Sequence, residues 1–242
     1  METIKKYVDE MLVILPFEKD FYKKHQVEAH FVGHPLLDAI EGLPPIDGQT
    51  FKKENHLNDK EIIALLPGSR KQEISKMLQI MLSVRDHFPD YQFVIAGAPS
   101  LDKDFYEQFV DDDVHFVSNR TYDLLRCSKA ALVTSGTATL ETALLNIPEV
   151  VCYKGSRISY EIGKRLIRNI KYISLVNLIM DKEVVTELIQ NDLNTKNLVE
   201  ELDKILNTKK RDEVLTDYEI LRTKLGGNGA SENAAKIIVN LK

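Results

Sequence analysis

A chain of 242 residues, 43% hydrophobic and 29% charged, is long enough to bury a core and too apolar to be disordered. Its formal net charge of −5 argues against nucleic acid as a main partner. Two cysteines, Cys127 and Cys152, and six scattered histidines show no metal-ligand spacing and no disulfide framework, so neither a metal nor a cofactor is expected and a reducing cytoplasm is the expected setting.

In chain order, MLVILP and AHFVGHP read as strands on either side of a helix, FEKDFYKKH. After His34-Pro35, the polar and turn-rich LPPIDGQTFKKENHLNDK reads as a linker. One βα unit and a strand do not close a doubly wound domain. Residues 1–56 are therefore expected to be the remnant of an N-terminal domain, plus linker. From Glu61 onward, apolar runs alternate with helical periodicity. The predicted strands are EIIALLP (61–67), QFVIAG (92–97), VHFV (114–117), KAALVTS (129–135), EVVCYK (149–154) and KYISL (171–175). Between them, Ile74, Met77, Leu78, Met81 and Leu82 recur at helical spacing. Past residue 183 the pattern predicts helices only: EVVTELIQN, TKNLVEELDKIL and RDEVLTDYEILRTKL, closed by the GGNG turn at 226–229. The fold expected is α/β, a Rossmann-like doubly wound parallel sheet over 57–225, with a helical C-terminal extension at 226–242. No apolar run approaches the ~18 residues that would span a bilayer.

Two strand-to-helix turns carry the chemistry. Leu66-Pro67-Gly68-Ser69-Arg70 ends the first strand, with Gly68 permitting the turn, Ser69 the expected N-cap and Arg70 at the mouth of the cleft. A guanidinium there would clamp a phosphate through two N–H donors; a plain capped helix with a surface arginine reads equally well. Ser135-Gly136-Thr137 opens the second helix, with Thr137 as expected N-cap and Glu141 one turn inside. Unpaired N–H groups there suit a diphosphate, and Glu141 suits the diol of a ribose; taken alone, a dipole-favourable glutamate reads equally well. Ser174 to Leu178 would bring the Asn177 amide to the same cleft, although an asparagine turn before a helix is favoured on spacing alone. Between Lys154 and Lys171, six cationic side chains are opposed by Glu161 alone. Arg157, Lys164, Arg165 and Arg168 are candidates to face an anionic membrane, against a core-packed helix with a solvated basic face.

Read together, LLPGSRKQEI, TSGTATLETALLNIPEVVCYK and YISLVNLIMDKEVVTELIQ, preceded by MLVILPFEKDFYKKH and FVGHPLLDAI, closely resemble the lipid-A-disaccharide synthase family over essentially the whole chain. The resemblance implies the C-terminal half of a GT-B glycosyltransferase. Such an enzyme joins UDP-2,3-diacylglucosamine to 2,3-diacylglucosamine 1-phosphate (lipid X) with release of UDP. By similarity, Gly68, Ser69 and Arg70 would serve the donor diphosphate, Ser135, Gly136 and Thr137 the second phosphate cradle, Glu141 the ribose, and Asn177 the donor site. Val176 stands where that family usually has proline. The expected base lies on the N-terminal domain, so no catalytic residue is assigned in this chain, which is expected to be a truncated or separately encoded donor half with its partner half elsewhere. The expected location is cytoplasmic, peripheral on the inner face of the inner membrane. The alternatives are a non-catalytic nucleotide-sugar-binding module and another UDP-N-acetylglucosamine-using enzyme of the same architecture.

Overall fold

The computed structural model describes residues 1–112, 114–155 and 171–240. The described chain divides into two compact units, 1–44 with 217–242, and 45–216.

The second unit is built on six parallel strands: β3 (Glu61–Leu66), β4 (Tyr91–Gly97), β5 (Val114–Ser118), β6 (Ser128–Thr134), β7 (Glu149–Tyr153) and β8 (Glu187–Ile189), in the spatial order β5-β4-β3-β6-β7-β8. The central strand β3 alternates its side chains between two cores. Ile63 and Leu65 pack with Ile74, Met77, Leu78 and Met81 of α5 (Lys71–Leu82) and with Leu198 and Leu202 of α10 (Thr195–Asn207). Ile62, Ala64 and Leu66 pack with Phe51 of α4 (Gly48–Glu54) and with Leu124 and Leu125 of α7 (Thr121–Arg126). Both faces are covered, so each strand can be a continuous apolar run. This is the expected α/β, Rossmann-like arrangement of a parallel sheet with helices on both faces. Among the described residues, this unit also holds a short 3-10 turn (Arg85–His87), α6 (Lys103–Glu107), α8 (Thr137–Leu144), α9 (Leu175–Met180) and the start of α11 (Lys210–Lys224).

Two predicted elements are corrected. KYISL is not a strand: it leads into α9, and the sixth strand is β8, in the stretch read as helix. The β-branched Val184 and Val185 are buried there, and Val151 pairs with Glu187 to extend the sheet. The stretch 43–60 is not all linker either. Asp47 caps α4 by accepting from the N–H groups of Gln49 and Thr50, and Phe51 is 1% exposed in the core of the second unit.

The first unit holds a two-stranded parallel sheet, β1 (Leu12–Val13) and β2 (His30–Phe31), joined through α2 (Pro16–Lys24) and flanked by α1 (Glu2–Tyr7) and α3 (Pro35–Glu41). The last helix, α12 (Ala230–Val239), docks onto the same unit. The Asp38 carboxylate accepts from Gly229 N at 2.6 Å and Ser231 N at 3.1 Å, and Asn233 Nδ2 donates to Val32 O. Gly33 admits this contact, with a backbone φ of +94° and an added Cβ only 3.4 Å from Ala230 Cβ.

Candidate functional site

The chain enters the large sheet at β3, winds outward through β4 to β5, and returns with β6 against the other side of β3. Between β3 and β6 the winding reverses, and ligands bind at the carboxyl ends of strands at such a reversal. A cavity of about 400 Å³ lies there. Gly68 and Ser69 line it from the end of β3; Thr134, Ser135, Gly136, Thr137 and Glu141 line it from β6 and α8; Ala96 to Pro99 and Thr121 form a further wall.

Each side follows from local chemistry. Gly68 has φ of +108°, a conformation that side chains disfavour, which turns the chain sharply off β3. Arg70, not Ser69, is the N-cap of α5. Gly136, not Thr137, is the N-cap of α8, so Glu141 is the fifth helical residue. The Thr139 hydroxyl donates back to Gly136 O at 2.9 Å, tying the turn to the first helical loop. Leu140, Ala143 and Leu144 fix α8 against the sheet, which aims its N-terminal N–H groups at the cavity. Thr134 Oγ1 is buried without a hydrogen-bond partner in the cavity wall, a polar atom suited to a ligand.

Of the eight predicted donor-site residues, Gly68, Ser69, Ser135, Gly136, Thr137 and Glu141 line this one cavity. Arg70 does not line it. Its side chain is 81% exposed and donates through Nη1 to Glu73 Oε1 at 3.1 Å, and it is Glu73 that reaches the cavity. Asn177 is corrected to a structural role. It is fully buried: Oδ1 accepts from the N–H groups of Val184 and Val185, and Nδ2 donates to Val185 O and Glu187 Oε1. An amide has two acceptor sites and two donors, so nothing is left for a ligand. Asn177 still bears on the site indirectly. Glu187 also accepts from Ile173 N and Ser174 N, and Ile173 O accepts from the Ser135 hydroxyl at 3.0 Å. The segment 173–187, with α9 inside it, thereby braces the Ser135 turn. Tyr122 went unseen in the sequence: its phenol donates to Glu141 Oε1 at 3.1 Å. Burial, reinforced by that carboxylate, pushes the phenol pKa up to about 12.

The membrane-facing candidates Arg157, Lys164, Arg165 and Arg168 lie outside the described residues. Among the described residues no group of three or more His, Cys, Asp or Glu could hold a metal ion, and no helix is long and apolar enough to cross a membrane.

Residues 1–240 match the family model of lipid-A-disaccharide synthetase. Curated relatives named lipid-A-disaccharide synthase are 39% identical in Syntrophus aciditrophicus, 36% in Coxiella burnetii and 34% in Geobacter sulfurreducens. Each alignment takes in all of this chain but 64–65% of the relative, so the chain spans about 65% of their length. Among solved structures, a UDP co-structure of MnaA from S. aureus aligns with a TM-score of 0.64 at 14% identity, covering 100% of this chain and 64% of that one. The UDP-GlcNAc 2-epimerase from Neisseria meningitidis aligns at 0.62 and 16%, covering 95% and 61%. At these identities the likeness is one of fold.

Proposed function

The chain belongs to the lipid-A-disaccharide synthetase family, and on that premise we propose that its 45–216 unit holds the UDP-sugar donor of a glycosyl transfer to lipid X. The sugar donated is 2,3-diacylglucosamine, and the leaving group is UDP. One observation carries the reading: two anion-receptive turns, 68–69 and 135–137, open into a single cavity at the winding reversal, with Glu141 one turn inside the second. MnaA from S. aureus with UDP and the N. meningitidis epimerase bound to UDP-GlcNAc share this fold, which supports a nucleotide-sugar occupant here.

In this reading the first-turn N–H groups of α8 and the backbone at Gly68 and Ser69 receive the diphosphate. Glu141 accepts from the ribose hydroxyls. The exposed Arg70 exchanges its partner Glu73 for a phosphate oxygen, taking up the negative charge that develops as the glycosidic bond to UDP breaks. Charge-assisted hydrogen bonds contribute about 1.5–3 kcal/mol each and a helix terminus about 0.3–2, so three or four such groups suffice to stabilise the departing diphosphate. The acceptor hydroxyl must lose a proton as it attacks, and no base for that step is assigned among the described residues.

Calorimetric titration of UDP into wild type, Arg70→Ala and Glu141→Ala tests the assignment. Each variant should bind about tenfold or more weakly, the cost of one charge-assisted contact. Wild-type affinity in both variants, or no binding of UDP by the unsubstituted chain, refutes it. A panel of acylated and plain UDP-N-acetylglucosamine then reports the sugar class.

A further inference from the structure

The Glu141 carboxylate is not free to rotate. One oxygen, Oε1, accepts from the Tyr122 phenol, which reaches it from α7, 19 positions earlier in the chain. Both helices are anchored without this bridge. Leu124 and Leu125 bury α7 against the sheet, and Leu140, Ala143 and Leu144 bury α8. The start of α7 is pinned further by Arg120 at the N-cap position, whose guanidinium lies 5.0 Å from the centre of the Phe51 ring and donates to Glu54 and Asp123. With both helices fastened by these contacts, the phenol–carboxylate bond is not needed to hold them in place. What it does change is the carboxylate itself. A glutamate has three rotatable side-chain bonds, and this one is held in one orientation with Oε2 left for a ligand.

We propose that Tyr122 is a positioning residue that presets the Glu141 carboxylate to accept from a vicinal diol, and so sets how strongly the site prefers a ribonucleotide over one lacking the ribose hydroxyls. This rests on the assignment of Glu141 to the ribose. Any phenol keeps its proton, and remains a donor, throughout the neutral range, and burial with the nearby carboxylate pushes this one up to about 12.

The test uses the full 242-residue chain with two probes, UDP and 2′,3′-dideoxy-UDP, titrated into wild type, Tyr122→Phe and Glu141→Ala. Phenylalanine keeps the ring and removes only the hydroxyl. Tyr122→Phe should bind UDP about two- to tenfold more weakly, the cost of ordering one long side chain on binding, with affinity for the dideoxy probe unchanged. The wild-type preference for UDP should be flat between pH 6 and 9. A Tyr122→Phe variant that keeps the full preference, or loses affinity for both probes equally, overturns the inference. Glu141→Ala should abolish the preference altogether. If it does not, the parent assignment of Glu141 to the ribose has failed, and the role of Tyr122 falls with it.

Discussion

Glu149 opens β7 fully buried, and neither of its carboxylate oxygens has a hydrogen-bond partner. Burial, with a smaller push from Glu187, raises its pKa well above the ordinary carboxylate value. A group whose folded pKa exceeds its unfolded one contributes stability that is complete below the unfolded value, near 4.5, and is lost as pH rises toward the folded value. Glu149→Met, which removes the buried carboxyl at similar volume, should therefore stabilise by about 1–3 kcal/mol at pH 7 and progressively less toward pH 4. Urea denaturation at several pH values reads this directly; a gain independent of pH would contradict it. Single residues were unevenly legible. Gly68, Ser135 and Gly136 announced themselves because small residues after an apolar run have few other uses. Asn177 did not, since a turn asparagine and a clamp for two buried N–H groups look alike in a string. Tyr122 left no local signal, because its partner is made adjacent only by the packing of α7 and α8.

At the scale of elements, α4 shows how a short helix persists. Seven residues cannot form a stable helix alone. Asp47 caps its start, Lys52 Nζ donates to Asp59 O and Lys60 O, and Phe51 inserts into the core beside Ile62 and Leu66. Phe51→Ala should lower unfolding free energy by about 3–5 kcal/mol, the usual loss for a large buried side chain. Chemical denaturation measures it, and a loss under 1 kcal/mol would mean that α4 is dispensable. The same substitution removes the ring beneath Arg120, so Tyr122 should feel it through the start of α7. Strands β3, β4, β6 and β7 were readable as apolar runs because they are buried on both faces. β8 was not. Three residues at the edge of the sheet carry too little pattern to outweigh the helical periodicity around them, and pairing with β7 decides the matter.

At the scale of the whole molecule, the first 44 residues and the last 26 form one unit, although the sequence suggested that the front segment stood apart and the last helix was an appendage. The Asp38 carboxylate links them. Its backbone hydrogen bond from Gly229, and then that from Ser231, hold its pKa below the usual carboxylate value. A depressed pKa contributes stability above the unfolded value, near 3.8, that is lost as pH falls through the folded one. The link should therefore hold at neutral pH and release only in acid below about pH 4. Asp38→Ala should speed amide hydrogen exchange in Ala230–Val239 roughly fivefold at pH 7, as removal of a helix cap does, while β3 to β6 keep their protection. Unchanged exchange in α12 would show that Val32 and Asn233 suffice.

Asp38 and Gly229 are 191 positions apart, which bears on the order in which the nascent chain acquires its shape. At about 5–20 residues per second, translation delivers the second partner roughly 10–40 seconds after the first. During that interval the six-stranded sheet can complete while residues 1–44 wait, the Asp38 carboxylate still hydrated, for α12 to leave the ribosome.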